Sequence, residues 1–404
     1  MTRIKITLCP ADSVFVLDLS HPRKSTAARA VNDHSIMAAV YQFTILVHLR
    51  EMTMTRIQPW RSTLLPLALS LVSTLLPAES KRAAVDQVAH TALRVTTSAG
   101  TGLLPIYVSS DWSRPQPGVT RAIVIFHGKR RNAEGYFRSA SEAVQSAGNA
   151  GRGTIVIAPQ FLAEEDADAF HLDAAVLRWH HERWEGGENA VGPADLSSFD
   201  AIDAVLAQLA DRARFPDLVQ VVLAGHSGGG QVLQRYAVVG RGDVALTKVG
   251  VRVRYVIANP SSYVYFSEDR PLNTGGFAPY TGSCKGFNRW KYGVQEPPPY
   301  LGQTLFADME ERYSRRDVIY LLGTTDTDPH HPDLDVSCEG EAEGPYRFAR
   351  GTAYFAYLKA RHVERFSQRL WEVPGVAHDE RGMFHSRCGM EALFDLPGCA
   401  SDKR

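Results

Sequence analysis

The stretch Val219-Gln220-Val221-Val222-Leu223-Ala224-Gly225-His226-Ser227-Gly228-Gly229, continuing from Gly230 to Gly240 as GQVLQRYAVVG, decides the fold. Its first six residues are almost continuously apolar, as expected for a strand buried on both faces of a parallel sheet. Residues 228–240 read as a helix, with Val232, Leu233 and Tyr236 placed to pack beneath that sheet. Between the two lies a G-x-S-x-G pattern. Serine is a poor nucleophile at its free pKa and must be presented sharply to a base. A strained strand-to-helix turn does this, and small flanking residues let the backbone make the turn without a Cβ clash.

Outward from this point, short β-branched runs alternate with helical patterns. Strands are expected at 90–97, 103–109, 121–126, 153–159, 219–224, 253–258, 317–322 and 368–373, and helices at 132–147, 197–213, 228–240 and 346–366. Ser197 is available as an N-cap, and Phe199, Ile202, Val205, Leu206 and Leu209 share one face of the helix that follows. Such alternation predicts an α/β fold, a doubly wound and mostly parallel sheet with ligands at the carboxyl ends of its strands. Two longer connections, 162–196 and 261–316, interrupt it and are expected to form lid-like insertions at that edge.

The same edge collects the partners a serine nucleophile needs. Gly323-Thr324-Thr325-Asp326 follows the strand 317–322, and Pro374-Gly375-Val376-Ala377-His378 follows the strand 368–373. His378 is expected to take the Ser227 proton on Nε2, with Asp326 holding its Nδ1–H. Asp328 is the rival acid. His385 is the rival base, but it sits in an expected helix and fits poorly. The strand 121–126 ends in His127-Gly128-Lys129, so the backbone N–H groups of Lys129 and Gly228 are the expected oxyanion donors. His127 reads as a structural residue that holds this loop.

Together, the HG loop, the serine turn, the Asp after the penultimate strand and the His after the last strand resemble the α/β-hydrolase superfamily. The resemblance spans about 90–395. Within it HGKRRNAEGYF (127–137), SSFDAID (197–203), FNRWKYG (287–293) and GTTDTDP (323–329) are similar to a group of secreted bacterial and fungal members. It implies hydrolysis of carboxylic esters through an acyl-enzyme, on small-molecule or polymeric substrates, with no metal and no organic cofactor. The loop after 121–126 lacks an HGGG run, which disfavours a hormone-sensitive-lipase-like subclass. A peptidase or amidase with the same triad is the alternative, and a non-catalytic binding module on the same fold is a further one.

Composition is compatible with this reading. The 404 residues carry 44 Lys plus Arg against 44 Asp plus Glu, so no nucleic-acid footprint or basic membrane-binding surface is expected. Residues 63–77 are apolar, preceded by Arg56 and Arg61 and followed by the small Ala78, which is the layout of an export signal. Met52 and Met54 stand where such a chain would start. Residues 1–51 therefore read as an extension from a start codon set too early, 52–78 as the signal peptide and 79–404 as the hydrolase domain; the competing reading is a genuine extension in which Ile36–Leu49 forms a buried or membrane-associated segment. The expected location is secreted or periplasmic, with no stable membrane anchor. Four cysteines then remain, Cys284, Cys338, Cys388 and Cys399. An even number after an export signal suggests two disulfides. Three pairings are possible, and the preferred one has Cys388–Cys399 closing a short terminal loop and Cys284–Cys338 bridging two insertions.

Trp179, Trp184 and Trp290 are the candidates for lining an apolar pocket. His180-His181 and His330-His331 invite a metal reading, but adjacent residues share no face of a helix or strand and no HExxH occurs, so no metal is expected. Lys129, Arg130 and Arg131 are expected to meet solvent or partner carboxylates.

Overall fold

The computed structural model describes residues 83–302, 306–362 and 366–399. The expected extension at 1–51 and signal peptide at 52–78 lie outside the described residues. Eight strands form one sheet: β1 (Thr91–Thr97), β2 (Gly100–Val108), β3 (Arg121–Phe126), β4 (Thr154–Pro159), β5 (Gln220–His226), β6 (Arg252–Ala258), β7 (Asp317–Gly323) and β8 (Arg369–Val373). Their spatial order is β1-β2-β4-β3-β5-β6-β7-β8. β1 and β2 pair antiparallel, as do β2 and β4, and every other pairing is parallel.

Alternation along the strands divides the core in two. Ala122, Val124 and Phe126 of β3 join Val221 and Leu223 of β5 on one face. Ile123 and Ile125 join Val222 and Ala224 on the other. The first face is covered by α2 (Ser198–Leu209), α3 (Gly228–Val239) and α4 (Arg347–Arg361), through residues such as Phe199, Val232, Tyr236 and Tyr354. Tyr136 and Ala143 of α1 (Ala133–Ser146) cover the second face. Met383 and Phe384 of α5 (Glu380–His385) and Leu393 of α6 (Arg387–Phe394) complete that layer.

Local chemistry sets the element ends. At the start of α2, Ser197 Oγ accepts from the Phe199 N–H at 3.0 Å, and Asp200 Oδ2 accepts from the Ser197 N–H at 3.0 Å. This reciprocal cap satisfies donors that a helix N-terminus leaves open. The two insertions leave from the carboxyl ends of β4 and β6, the edge where β5, β7 and β8 also end. The second is stapled as well as packed. Cys284–Cys338 links the second insertion to the segment after β7, and Cys388–Cys399 closes the terminal loop. Among the described residues, no helix is long and apolar enough to cross a membrane.

Candidate active site

Ser227 stands between β5 and α3 with φ 59° and ψ −121°, a left-handed conformation that L-residues rarely adopt. The turn holds because its neighbours are bare. A Cβ on Gly225 would collide with the Gly229 carbonyl, and one on Gly229 with the Phe126 carbonyl. The Ser227 N–H donates to the Ala258 carbonyl at 3.0 Å, which ties the turn to the end of β6.

Two loops bring the partners in. His378 Nε2 lies 2.9 Å from Ser227 Oγ, and His378 Nδ1 lies 2.9 Å from Asp326 Oδ2. Asp326 follows β7, is 3% exposed, and receives Arg347 Nη1 on its other oxygen at 3.3 Å. Asn259, just past β6, clasps both loops: its Oδ1 accepts from the Gly323 N–H at 2.9 Å, and its Nδ2 donates to the Ala377 carbonyl at 3.2 Å. The rivals lie elsewhere. Asp328 Oδ1 accepts from the His330 N–H, and His385, in α5, bonds to Ser139.

Burial holds the His378 imidazole below its ordinary pKa. The hydrogen bond and charge of Asp326 raise it, while Arg347 and His331 lower it. Two other imidazoles pack against the ring, His226 tilted with its centre 4.5 Å away and His331 edge-on at 4.9 Å. A neutral His378 is the form able to accept a proton.

The loop after β3 completes the site. The Lys129 backbone nitrogen lies 2.9 Å from the point where a Cβ on Gly228 would project, so the two expected oxyanion donors are neighbours. His127 anchors this loop as a buried, neutral ring. Its Nε2 accepts from the Phe161 N–H at 2.9 Å, which leaves Nδ1–H to donate to the Gly128 carbonyl at 2.8 Å. Burial pushes its pKa down to about 4. Arg131 clamps the same loop onto buried Asp166 with contacts of 2.6 and 3.0 Å. Lys129 and Arg130 reach Asp333 at 2.9 and 3.1 Å. All three cations of the Lys129-Arg130-Arg131 run therefore meet carboxylates.

Two of the pocket candidates need correction. Trp179 and Trp184 are wholly buried, stacked edge-on or face-on against Phe161, so they pack the core instead of lining an opening. Trp184 also leans on the His127 ring, 4.8 Å away. Trp290 is partly exposed and donates Nε1–H to the Gly186 carbonyl at 2.5 Å.

Beside Trp184 the structure places a group that sequence reasoning missed. Glu185 is 2% exposed, yet its carboxyl carbon stands 3.3 Å from the projected Cβ of Gly228, with Oε1 nearer still. Its Oε2 accepts from Gln231 Nε2 at 2.9 Å and from Lys291 Nζ at 3.2 Å. Burial raises the Glu185 carboxyl, against the pull of Lys291 and Arg235. Arg347 and Asn259 were missed as well, and no local motif marks any of the three. Among the described residues, the one close grouping of three or more His, Cys, Asp or Glu donors is Cys284, Cys338 and Glu339, whose sulfurs are joined in a disulfide.

Searches with family models and against curated proteins find no match. Among solved structures, the chain is similar to poly(aspartic acid) hydrolase-1 from Sphingomonas sp. KT-1, with 22% identity over 76% of this chain and 99% of that one, at a TM-score of 0.51. It is also similar to a poly(3-hydroxybutyrate) depolymerase from Bordetella parapertussis, with 21% identity over 78% and 93% of the two chains, again at a TM-score of 0.51. With its strand order, its serine turn and these likenesses, the chain has the α/β-hydrolase fold.

Proposed function

We propose that this protein is a secreted serine hydrolase that cleaves carboxylic esters through an acyl-enzyme, with Ser227, His378 and Asp326 as its triad. The observation that carries the reading is the continuous relay of two 2.9 Å contacts from Ser227 Oγ through His378 to Asp326. Ser227 Oγ attacks the carbonyl carbon while its proton passes to His378 Nε2. The N–H groups of Lys129 and Gly228 receive the oxygen that becomes negative. The departing alkoxide takes the proton back from His378, and a water, deprotonated by the same imidazole, then releases the acid. Asp326 fixes the ring's tautomer and offsets the imidazolium charge.

The similar structures are named for hydrolysis of poly(aspartic acid) and poly(3-hydroxybutyrate), so polymeric substrates stand beside small esters in the proposed class. The two disulfides support export, since such bonds persist in oxidising compartments.

The test is covalent labelling with a fluorophosphonate, followed by peptide mapping. Label on Ser227, and loss of turnover by ~10⁴-fold or more in a folded Ser227→Ala variant, is the expected result. Label on another residue, or full activity in that variant, would refute the assignment. Matched ester and amide substrates separate an esterase from an amidase.

A further inference from the structure

We propose that Glu185 is a substrate-recognition carboxylate: Oε1 accepts a hydrogen bond from a hydroxyl on the α or β carbon of the ester's acyl chain. The inference deepens the proposed esterase reading and rests on it.

A carboxyl buried beside the donors of an oxyanion hole needs an explanation, because a negative charge there opposes the charge that develops in the reaction. The surrounding residues offset it. Lys291 Nζ sits 3.2 Å from Oε2, and attraction to Glu185 and Tyr292 keeps its ammonium above the ordinary value despite burial. Arg235 lies fully buried nearby and contributes a further pull on the Glu185 carboxyl. Gln231, on the first turn of α3, donates its amide to the same oxygen, and Ser262 Oγ holds Gln231 Oε1 at 2.8 Å. The carboxyl is therefore fixed in place from both the serine helix and the second insertion. Its Oε2 is committed to two donors, and the oxygen turned toward Gly228 is Oε1.

Position determines which part of a substrate meets Oε1. The leaving oxygen must collect its proton from His378 Nε2, so the alcohol portion lies on the imidazole side of Ser227. Glu185 borders Gly228, on the side of the oxyanion donors, which leaves the acyl portion to it. A plain alkyl chain would strand this acceptor when water is excluded, and an unpaired buried polar group costs about 1–3 kcal/mol. A hydroxyl close to the carbonyl satisfies it. Because the charge of Glu185 is already paired with Lys291, a neutral donor suits the site better than a second cation.

The experiment measures kcat/KM by acid release for methyl butyrate, methyl 2- and 3-hydroxybutyrate and the matching methoxybutyrates, which accept but do not donate. The native enzyme is expected to favour one hydroxy ester over both its methoxy and plain counterparts by about tenfold, and Glu185→Gln to collapse that ratio. Equal rates for all esters, a preference for the methoxy compounds, or a hydroxyl preference that survives in Glu185→Gln would each overturn the proposal. Fluorophosphonate labelling in parallel separates the two readings: an unlabelled Ser227 and no ester hydrolysis defeat the esterase assignment itself, whereas labelled, active and indifferent enzyme defeats only the role of Glu185.

Discussion

Replacing Arg347 with methionine tests how the buried charge behind the triad sets its working pH. The guanidinium donates Nη1–H to Asp326 Oδ1 at 3.3 Å, and Asp326 Oδ2 in turn lies 2.9 Å from His378 Nδ1. Arg347 and Asp326 have side chains 0% and 2% exposed, so solvent screens this chain of contacts poorly. With the contacts of 3.3 and 2.9 Å in series across one carboxyl group, the cation disfavours imidazolium by on the order of 1–2 kcal/mol at an effective dielectric near 20. Water refilling the vacated site reduces this further. The sign follows from the base needing to be neutral. Arg347 holds the His378 pKa down, so its removal raises that pKa and moves the acid limb of kcat/KM to higher pH. The assay is ester hydrolysis across the acid range for native, Arg347→Met and Arg347→Lys enzymes, with thermal melting to verify folding. The methionine variant also loses a buried ion pair, at a cost of about 3–5 kcal/mol, so its melting temperature falls. The lysine variant keeps the charge and should keep the limb. A folded methionine variant with an unmoved acid limb would refute the reasoning.

Two further outcomes are expected. Gly228→Ala sets a Cβ against Glu185 Oε1 and 2.9 Å from the Lys129 nitrogen, displacing the proposed oxyanion donors, so kcat should fall by ~10²–10³-fold with the fold intact; a kcat within about threefold of native contradicts the proposed role. His127 is depressed from 6.5 to about 4 in the folded protein. Its contribution to stability is complete above the unfolded value and is lost as pH falls through the folded one. Urea unfolding should show up to about 3 kcal/mol lost over that window, with a shallower loss in His127→Gln; parallel curves would exclude the histidine as the cause.

The parts of this molecule readable in advance are those with a period or a fixed order. All eight sheet strands were expected within a residue or two, except β2, which starts three residues earlier at Gly100. The central runs, such as 122–126 and 318–322, have no charged residue to blur them. Helix ends were less legible: 197–213 stops at Leu209 and 346–366 at Arg361. Their final turns carry no glycine or other strong stop signal. Ser227, Asp326 and His378, which the structure brings within hydrogen-bond distance of one another, could be singled out in advance because each follows a recognisable strand. Glu185, Asn259 and Arg347 escaped because they act across the fold, where loop side chains meet without any spacing rule. Exposure was equally hidden. Nothing in the run Trp179–Trp184 separates a ring facing a cleft from one sealed against Phe161.

The Cys284–Cys338 bond joins two excursions that leave the sheet from different strands, one bearing Lys291 and the other following the acid Asp326. Anyone transplanting either excursion alone into a related scaffold would carry half a cross-link and an unpaired thiol. The two behave as a single exchangeable module, and recombination should respect their joint boundary.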